Sequence, residues 1–139
     1  MKPHISVLTL GVDNLERALA FYRDGLGFPT KGIVGAEHEH GAVAFFHLQP
    51  SLMLALWPRT SLAHDTGLEP HRVSTPHVSI GHYVGSSQEV DEIMRRASQA
   101  GATIVKPAKT TFYGGYAGYF LDTEGHLWEI VYNPGLANL

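Results

Sequence analysis

Hydrophobic and polar positions in the first third of the chain predict a strand, then a helix, then more strands. The segment ISVLTLGV, residues 5–12, has the β-branched and aliphatic composition of a strand. Residues 13–28 instead repeat apolar side chains every three or four positions, as an amphipathic helix does. Asp13 and Glu16 have capping-box spacing, which predicts where this helix begins. Three strands with the sequences TKGIVGAE, AVAFFHL and SLMLALW follow.

The second half repeats this order. HVSIGHYV, residues 77–84, predicts a strand, and Ser86 with Glu89 again has capping-box spacing before a helix. Three more strands have the sequences TIVKPAKTTFY, GYAGYFLD and LWEIVY. The polar, turn-rich residues 59–76 predict a connector. We therefore predict one domain, residues 1–139, made of a βαβββ module at 1–58, the connector at 59–76 and a second module at 77–139.

The internal repeat allows equivalent positions of the two modules to be compared. Matching VLTLG to HVSIG places Val7 opposite His77, and matching LMLALW to LWEIVY places Leu54 opposite Glu129. The apolar faces of the first strands are expected to pack on the helices. His77 and Glu129 would then point away from the helices, towards a cavity. The alternative is that Glu129 lies on a face turned to water, where a carboxylate needs no special explanation.

Small and aromatic side chains could complete such a cavity. Thr9 and Ser79 share the predicted faces of Val7 and His77, and their small size leaves room for a ligand. The segment between residues 112 and 119 is a hairpin rich in aromatic rings that could grip a flat, apolar molecule; these rings are Phe112, Tyr113, Tyr116 and Tyr119. Core packing and contact with a second copy of the chain are equally good uses for them.

Composition limits the class of partner. The chain has 139 residues, a net charge of −3 and no basic run, which argues against nucleic acid and anionic membranes as partners. No segment approaches the roughly 18 apolar residues of a membrane span, and the first residues do not resemble a signal peptide, so we expect a cytoplasmic protein. The absence of cysteine excludes disulfides, thiolate metal sites and a cysteine nucleophile.

Two stretches carry a family resemblance: LTLGVDNLERALAFYRDGLGF near the start and YFLDTEGHLWEIVYNP near the end. The chain resembles the vicinal oxygen chelate superfamily, of the glyoxalase, bleomycin resistance protein and dioxygenase type. The resemblance implies an α+β fold. Its two βαβββ modules would form an open, curled mixed β-sheet barrel around a central cavity, with the helices outside, usually in a homodimer.

The resemblance also bears on metal binding. Metal-using members place ligands on the first and last strands of each module, and those positions here look like Val7, Leu54, His77 and Glu129. Only His77 and Glu129 could coordinate a metal, whereas a catalytic zinc or non-haem iron site ordinarily takes three protein ligands. We therefore expect no cofactor, or a weakly held divalent ion such as Zn, Mn, Fe or Ni.

The leading hypothesis is a protein that binds or processes a small organic molecule in the cavity containing His77 and Glu129, the candidate catalytic residues. The candidate ligand-binding residues are Val7, Thr9, Leu54, Ser79, Phe112, Tyr113, Tyr116 and Tyr119. One alternative is a metal-dependent enzyme, either a glyoxalase I-like lyase or isomerase or an extradiol dioxygenase-like oxidoreductase. Another is a metal-free enzyme in which Glu129 takes a proton and His77 positions the substrate. The last is a protein that sequesters a drug or toxin without turnover.

Overall fold

The computed structural model describes residues 1–70 and 76–136, which fall into two compact units, Met1–Val73 and Ser74–Leu139. The first unit contains β1 (Val7–Val12), α1 (Leu15–Ala20) continued by a π-helical turn (Phe21–Gly25), β2 (Thr30–Val34), β3 (Val43–His47), β4 (Met53–Pro58) and α2 (Arg59–Thr66). The second contains β5 (Ser79–Val84), α3 (Ser87–Gln99), β6 (Thr103–Thr110), β7 (Tyr116–Leu121), β8 (Leu127–Tyr132) and a 3₁₀ turn (Pro134–Leu136).

Each unit folds one four-stranded mixed sheet. The strand orders are β1-β4-β3-β2 and β5-β8-β7-β6. In each sheet the first strand of the unit runs parallel to the last, and the other neighbours are antiparallel. The predicted α+β class and the two βαβββ orders are therefore confirmed. The addition is α2, which lies within the predicted connector 59–76; residues 71–75 of that connector are outside the described part of the chain.

The two predicted helix starts have different outcomes. At α3 the Ser86 Oγ accepts a hydrogen bond from the Glu89 amide at 3.2 Å, which confirms the predicted cap. At α1 the capping residue is Asn14, whose Oδ1 accepts from the Arg17 amide at 2.9 Å, so the capping box that begins at Asp13 is wrong by one residue. Asp13 instead forms an ion pair with Arg59, at 3.2 Å between carboxylate and guanidinium.

One face of each sheet packs on a helix of its own unit, which is α1 with its π-helical turn in the first unit and α3 in the second. In the first unit the Tyr22 ring, which follows α1, lies 5.8 Å from the Phe46 ring of β3. In the second unit a Cβ built on Gly118 of β7 would come within 2.9 Å of Met94 on α3. We call these the helix faces and the opposite sides the far faces. Side chains alternate along a strand, so Tyr119, next to Gly118, lies on the far face of the second unit.

The strand register corrects the comparison between the two repeats. The β3–β4 hairpin pairs His47 with Met53, and the β7–β8 hairpin pairs Leu121 with Leu127 at the equivalent point. By this count Ala55, not Leu54, corresponds to Glu129. The prediction that Leu54 lies opposite Glu129 is wrong because Leu54 is fully buried and pairs with Phe46, which places it on the helix face.

The match of Val7 with His77 is also wrong. In the parallel pairs, Val7 aligns with Met53 and Ser79 aligns with Leu127. Ser79 is therefore the counterpart of Val7, while His77 precedes β5 by two residues and is exposed. The comparison of the two sequences aligned segments by their similar apolar residues. The structural equivalence is fixed instead by the hydrogen-bonded register, in which a small shift moves a side chain to another position or to the other face.

Candidate functional site

A hydrogen-bonded pair of side chains, Tyr119 and Glu129, stands at the centre of the far face of the second unit. The two residues are direct cross-strand partners on β7 and β8. Their side chains lie on the same face, and the Tyr119 hydroxyl donates to Glu129 Oε1 at 2.8 Å. Both residues are partly buried. The carboxylate noticed in the LWEIVY strand is therefore held in place by a phenol from the neighbouring strand.

This pair has an electrostatic consequence for Tyr119. The hydrogen bond to Glu129 and, second to it, partial burial raise the pKa of Tyr119 from its ordinary value of 10.0 to about 12. A phenolate beside the carboxylate would be repelled and would lose its acceptor. Tyr119 therefore stays protonated at neutral pH and acts as a fixed hydrogen-bond donor.

The pair opens on a cavity of about 360 Å³ contained in the second unit. Besides Tyr119 and Glu129, two lysines and three hydroxyl-bearing side chains form its polar lining, and these are Lys106, Lys109, Thr110, Thr111 and Tyr113. The exposed ring of Phe112 lies at the rim. Both charge signs and a phenol donor thus surround one space of the size used for small organic ligands.

A tight turn after β6 presents Phe112 and Tyr113 to this cavity. Thr111 fastens the turn, since its amide donates to the Gly115 carbonyl at 3.0 Å and its hydroxyl accepts from the Gly115 amide at 3.0 Å. A Cβ at position 115 would lie 2.4 Å from the Tyr132 carbonyl oxygen, so only glycine fits there. The two aromatic rings meet edge to face, with centroids 5.2 Å apart.

The structure brings some of the predicted site residues to Glu129 and leaves others elsewhere. Phe112, Tyr113 and Tyr119 line the cavity together with Glu129. Ser79 begins β5 and shares the far face of the second unit, as partner of Leu127. Tyr116 does not join them, because its hydroxyl donates to Asp91 on α3 at 2.7 Å, on the helix side.

The remaining predicted residues occupy other positions in their own units. His77 is not the β5 partner of Glu129; that position belongs to Gly81. Val7 and Thr9 lie on the far face of the first unit, paired with Met53 and Ala55. Leu54 is buried on the helix face of that unit, as described above.

The sequence reasoning missed Lys106, Lys109, Thr110 and Thr111. Simple alternation along β6 predicts that Lys106 and Lys109 lie on opposite faces. Two register irregularities bring them to the same face, and Pro107, between the lysines, is their one signal in the sequence. The Tyr119–Glu129 contact could have been found. The DTEG turn predicts a β7–β8 hairpin, and counting outward from Leu121 and Leu127 places these two residues opposite each other.

The donor set on this face does not fit a three-ligand divalent metal site. Within residues 1–70 and 76–136, no three His, Cys, Asp or Glu side chains are grouped closely enough to hold a metal ion. Glu129 is engaged by a phenol, and the other charged groups lining the cavity are lysines, which repel cations. Zinc and non-haem iron sites ordinarily need two further His or carboxylate ligands here.

Two βαβββ units, each with a mixed four-stranded sheet and a helix packed on one face, place this chain in a class of small α+β proteins. The sequence pattern of the Glyoxalase/Bleomycin resistance protein/Dioxygenase superfamily matches residues 4–130. The chain belongs to this superfamily. The resemblance seen in the sequence is therefore confirmed.

Solved structures agree with this assignment. A glyoxalase-related enzyme from Fulvimarina pelagi is 30% identical, with a TM-score of 0.80 over 95% of this chain and 89% of that one. A glyoxalase/bleomycin resistance protein/dioxygenase from Nocardioides is 25% identical, with a TM-score of 0.76 over 97% and 87% of the two chains. Lactoylglutathione lyase from Agrobacterium tumefaciens shares the fold at 21% identity, with a TM-score of 0.67 over 99% and 98%.

Among curated proteins, none matches this chain. In the part of the chain that the structure describes, no helix has the length and apolar character needed to cross a bilayer.

Proposed function

We propose that this protein binds a small organic molecule on the far face of its second unit, in the cavity that contains Tyr119 and Glu129. The observation that carries the proposal is the oriented carboxylate itself. Glu129 lies between Leu127 and Val131 on β8, lines a cavity of about 360 Å³ and is fixed by the Tyr119 hydroxyl. A partly buried carboxylate with a dedicated donor is costly to maintain for packing alone and is well suited to hold a polar group of a ligand.

The two carboxylate oxygens of Glu129 have different roles in this proposal. Oε1 of Glu129 accepts the Tyr119 hydrogen bond, which fixes the plane of the carboxylate. Oε2 can then accept a hydrogen bond from a hydroxyl or amine of the ligand. Such charge-assisted bonds are shorter and about twice as strong as neutral ones, so one well-placed bond sets the orientation of the ligand.

A second candidate is a metal-free acid–base step on the bound molecule. Glu129 would take a proton from a carbon or oxygen of the ligand, the electron pair would stay on the ligand, and the proton would return at another atom. The observation that favours this step is that two ammonium groups, those of Lys106 and Lys109, line the same cavity and would stabilise the negative charge that forms. A role for His77 in positioning the substrate stays a prediction.

We do not propose a metal-dependent lyase, isomerase or dioxygenase, since the donors around Glu129 do not suit one. If the bound molecule is released unchanged, the proposed role is the sequestration of a toxic compound. A homodimer also stays a prediction. It is supported by the exposed residues Val78, just before β5, and Tyr83, within β5, because β5 is an outer strand of its sheet. A cytoplasmic location stays a prediction as well.

The test is a ligand titration of the full ¹⁵N-labelled chain followed by NMR, using single small organic molecules that carry a hydroxyl or amine donor. We expect the shifted amides to cluster around Tyr113, Tyr119 and Glu129. In Glu129→Ala the affinity of such a ligand should fall at least tenfold, about 1.4 kcal/mol, because a charge-assisted hydrogen bond is lost.

The matched control is Glu92→Ala, which removes a glutamate from α3 that pairs with Arg95. It should leave binding unchanged. Shifts that cluster away from the far face of the second unit, or equal loss of binding in the two variants, would refute the proposal. Deuterium incorporation from D₂O into the bound ligand, absent in Glu129→Ala, would establish the acid–base step.

A further inference from the structure

We propose that the far-face cavity of the second unit selects flat aromatic anions, with Lys106 and Lys109 binding the negative group and the Phe112–Tyr113 pair packing on the ring. This inference rests on the proposed function, since it names the class of ligand for the same cavity. It is carried by the path of β6, by the balance of charge and by the exposed aromatic pair.

Two irregularities in β6 bring both lysines to the far face. Ile104 pairs with Phe120 and Lys106 with Tyr119, so β6 uses two residues where β7 uses one. Between Lys106 and Lys109, β6 uses three residues where β7 uses two. Each β-bulge reverses the alternation of side chains, and bulges frequently re-aim a side chain beside a functional site. As a result Lys106 lies on the same face as Tyr119, and Lys109 on the same face as Ala117.

The charge in the cavity is unbalanced in favour of cations. Two of the four lysines of the chain line it. Among the described residues that form its wall, Glu129 is the one acid, and its Oε1 accepts a hydrogen bond from Tyr119. Two ammonium groups against one carboxylate leave a net positive charge in a protein whose overall charge is −3. An anionic group placed at the two lysines can restore the balance.

The aromatic pair defines the other half of the ligand. Phe112 is fully exposed and Tyr113 is 41% exposed at the rim of the cavity. Two adjacent exposed rings on a fastened turn therefore give the rim of the cavity an apolar surface on which a ligand can pack. Edge-to-face geometry between Phe112 and Tyr113 leaves ring faces available for a third, planar ring.

The experiment compares two isosteric probes, 1-naphthoate and 1-naphthamide, which differ in charge and share the ring. Dissociation constants are measured by NMR on the full chain at low salt. We expect naphthoate to bind at least tenfold more tightly than naphthamide, with shifts at Lys106, Lys109 and Tyr113. Raising the salt concentration should weaken naphthoate more than naphthamide, because exposed charges are screened.

The variants separate charge from shape. In Lys106→Gln/Lys109→Gln the preference for naphthoate should disappear while naphthamide binding is kept. In Lys106→Arg/Lys109→Arg the preference should persist, since the positive charge remains. Lys2→Gln removes an exposed lysine near the amino terminus and should have no effect.

The outcomes also distinguish this inference from the proposed function. Equal binding of the two probes around Tyr119, or a preference that survives in the double glutamine variant, overturns the anion selectivity and leaves the binding site standing. If naphthamide shifts the amide resonances around Tyr119 and naphthoate does not bind, the anion selectivity is likewise overturned and the binding site stands. Shifts from both probes that avoid the far face of the second unit overturn both proposals.

Discussion

Removing the carboxylate of Glu129 should lower the pKa of Tyr119. In the native protein this pKa is about 12, against an ordinary value of 10.0, which is roughly a hundredfold in the ionisation constant. The largest cause is the hydrogen bond to Glu129, burial comes second, and the charge of Glu129 comes third. Glu129→Ala removes the first and third causes and leaves burial. We therefore expect the pKa to fall by more than about one unit, or over tenfold.

The sign of the effect on stability follows from the direction of the shift. The pKa of Tyr119 is higher in the folded chain than in the unfolded one, so its contribution to stability is fully present below pH 10 and is lost as the pH rises through about 12. In Glu129→Ala this alkaline loss should be smaller and should end at a lower pH. The difference in stability between native and variant proteins should therefore be largest below pH 10 and should shrink as the pH rises through about 12.

The assay is NMR of protein labelled with ¹³C at the tyrosine ζ carbon, titrated from neutral to alkaline pH and assigned with Tyr119→Phe. Tyr116 serves as an internal control. Its hydroxyl donates to Asp91 at 2.7 Å, which raises its pKa, and that bond is untouched by a change at Glu129. A Tyr119 resonance that titrates at the same pH in native and Glu129→Ala proteins would refute the reasoning, as would equal shifts of Tyr116 and Tyr119.

Two further substitutions test packing in the second unit, with the free energy of unfolding measured in urea. Gly118→Ala should lower the free energy of unfolding by about 1–3 kcal/mol, because its Cβ would lie 3.0 Å from the backbone of Ala108. The control Gly81→Ala, whose Cβ has its nearest neighbour 3.5 Å away, should change that free energy by less than about 0.5 kcal/mol, and equal costs would contradict this reasoning. Asp122→Ala should lower the free energy of unfolding by about 2–4 kcal/mol, because the buried carboxylate accepts hydrogen bonds from the amides of Glu124 and His126 at 2.8 and 2.9 Å. An unchanged urea midpoint would show that these bonds contribute nothing to stability.

The elements of the fold could be predicted because their signals are local. The capped start of α3 needs only Ser86 and Glu89, three residues apart. The α2 helix was missed because RTSLAHDT has no apolar stripe and follows a proline at position 58. At α1 the adjacent residues Asp13 and Asn14 are both good caps, and the choice depends on the ion pair that Asp13 makes with Arg59.

The candidate site could be predicted only in part because it depends on register. Sequence placed Glu129 on the face away from the helices, and the strand pairing supports that placement. It could not place Leu54 correctly, since a difference of one position decides between the two faces of β4. The geometry of the hairpin turns shows which residues are equivalent. Ser51 and Gly125 both have positive φ, and the far-face residues Ala55 and Glu129 each follow four positions later.

The equivalent cross-strand positions of the two units hold different pairs, Phe45 with Ala55 and Tyr119 with Glu129. The order of the two changes between these pairs matters because the two positions differ in burial. Ala55 is buried, so Ala55→Glu alone would place a carboxylate beside a phenyl ring without a partner, at a cost of about 1–3 kcal/mol. Phe45 is 37% exposed, so Phe45→Tyr alone would leave its hydroxyl in contact with water and should cost little. Transplanting the polar pair into the first unit should therefore succeed when the tyrosine is introduced first, because the glutamate then finds its donor in place.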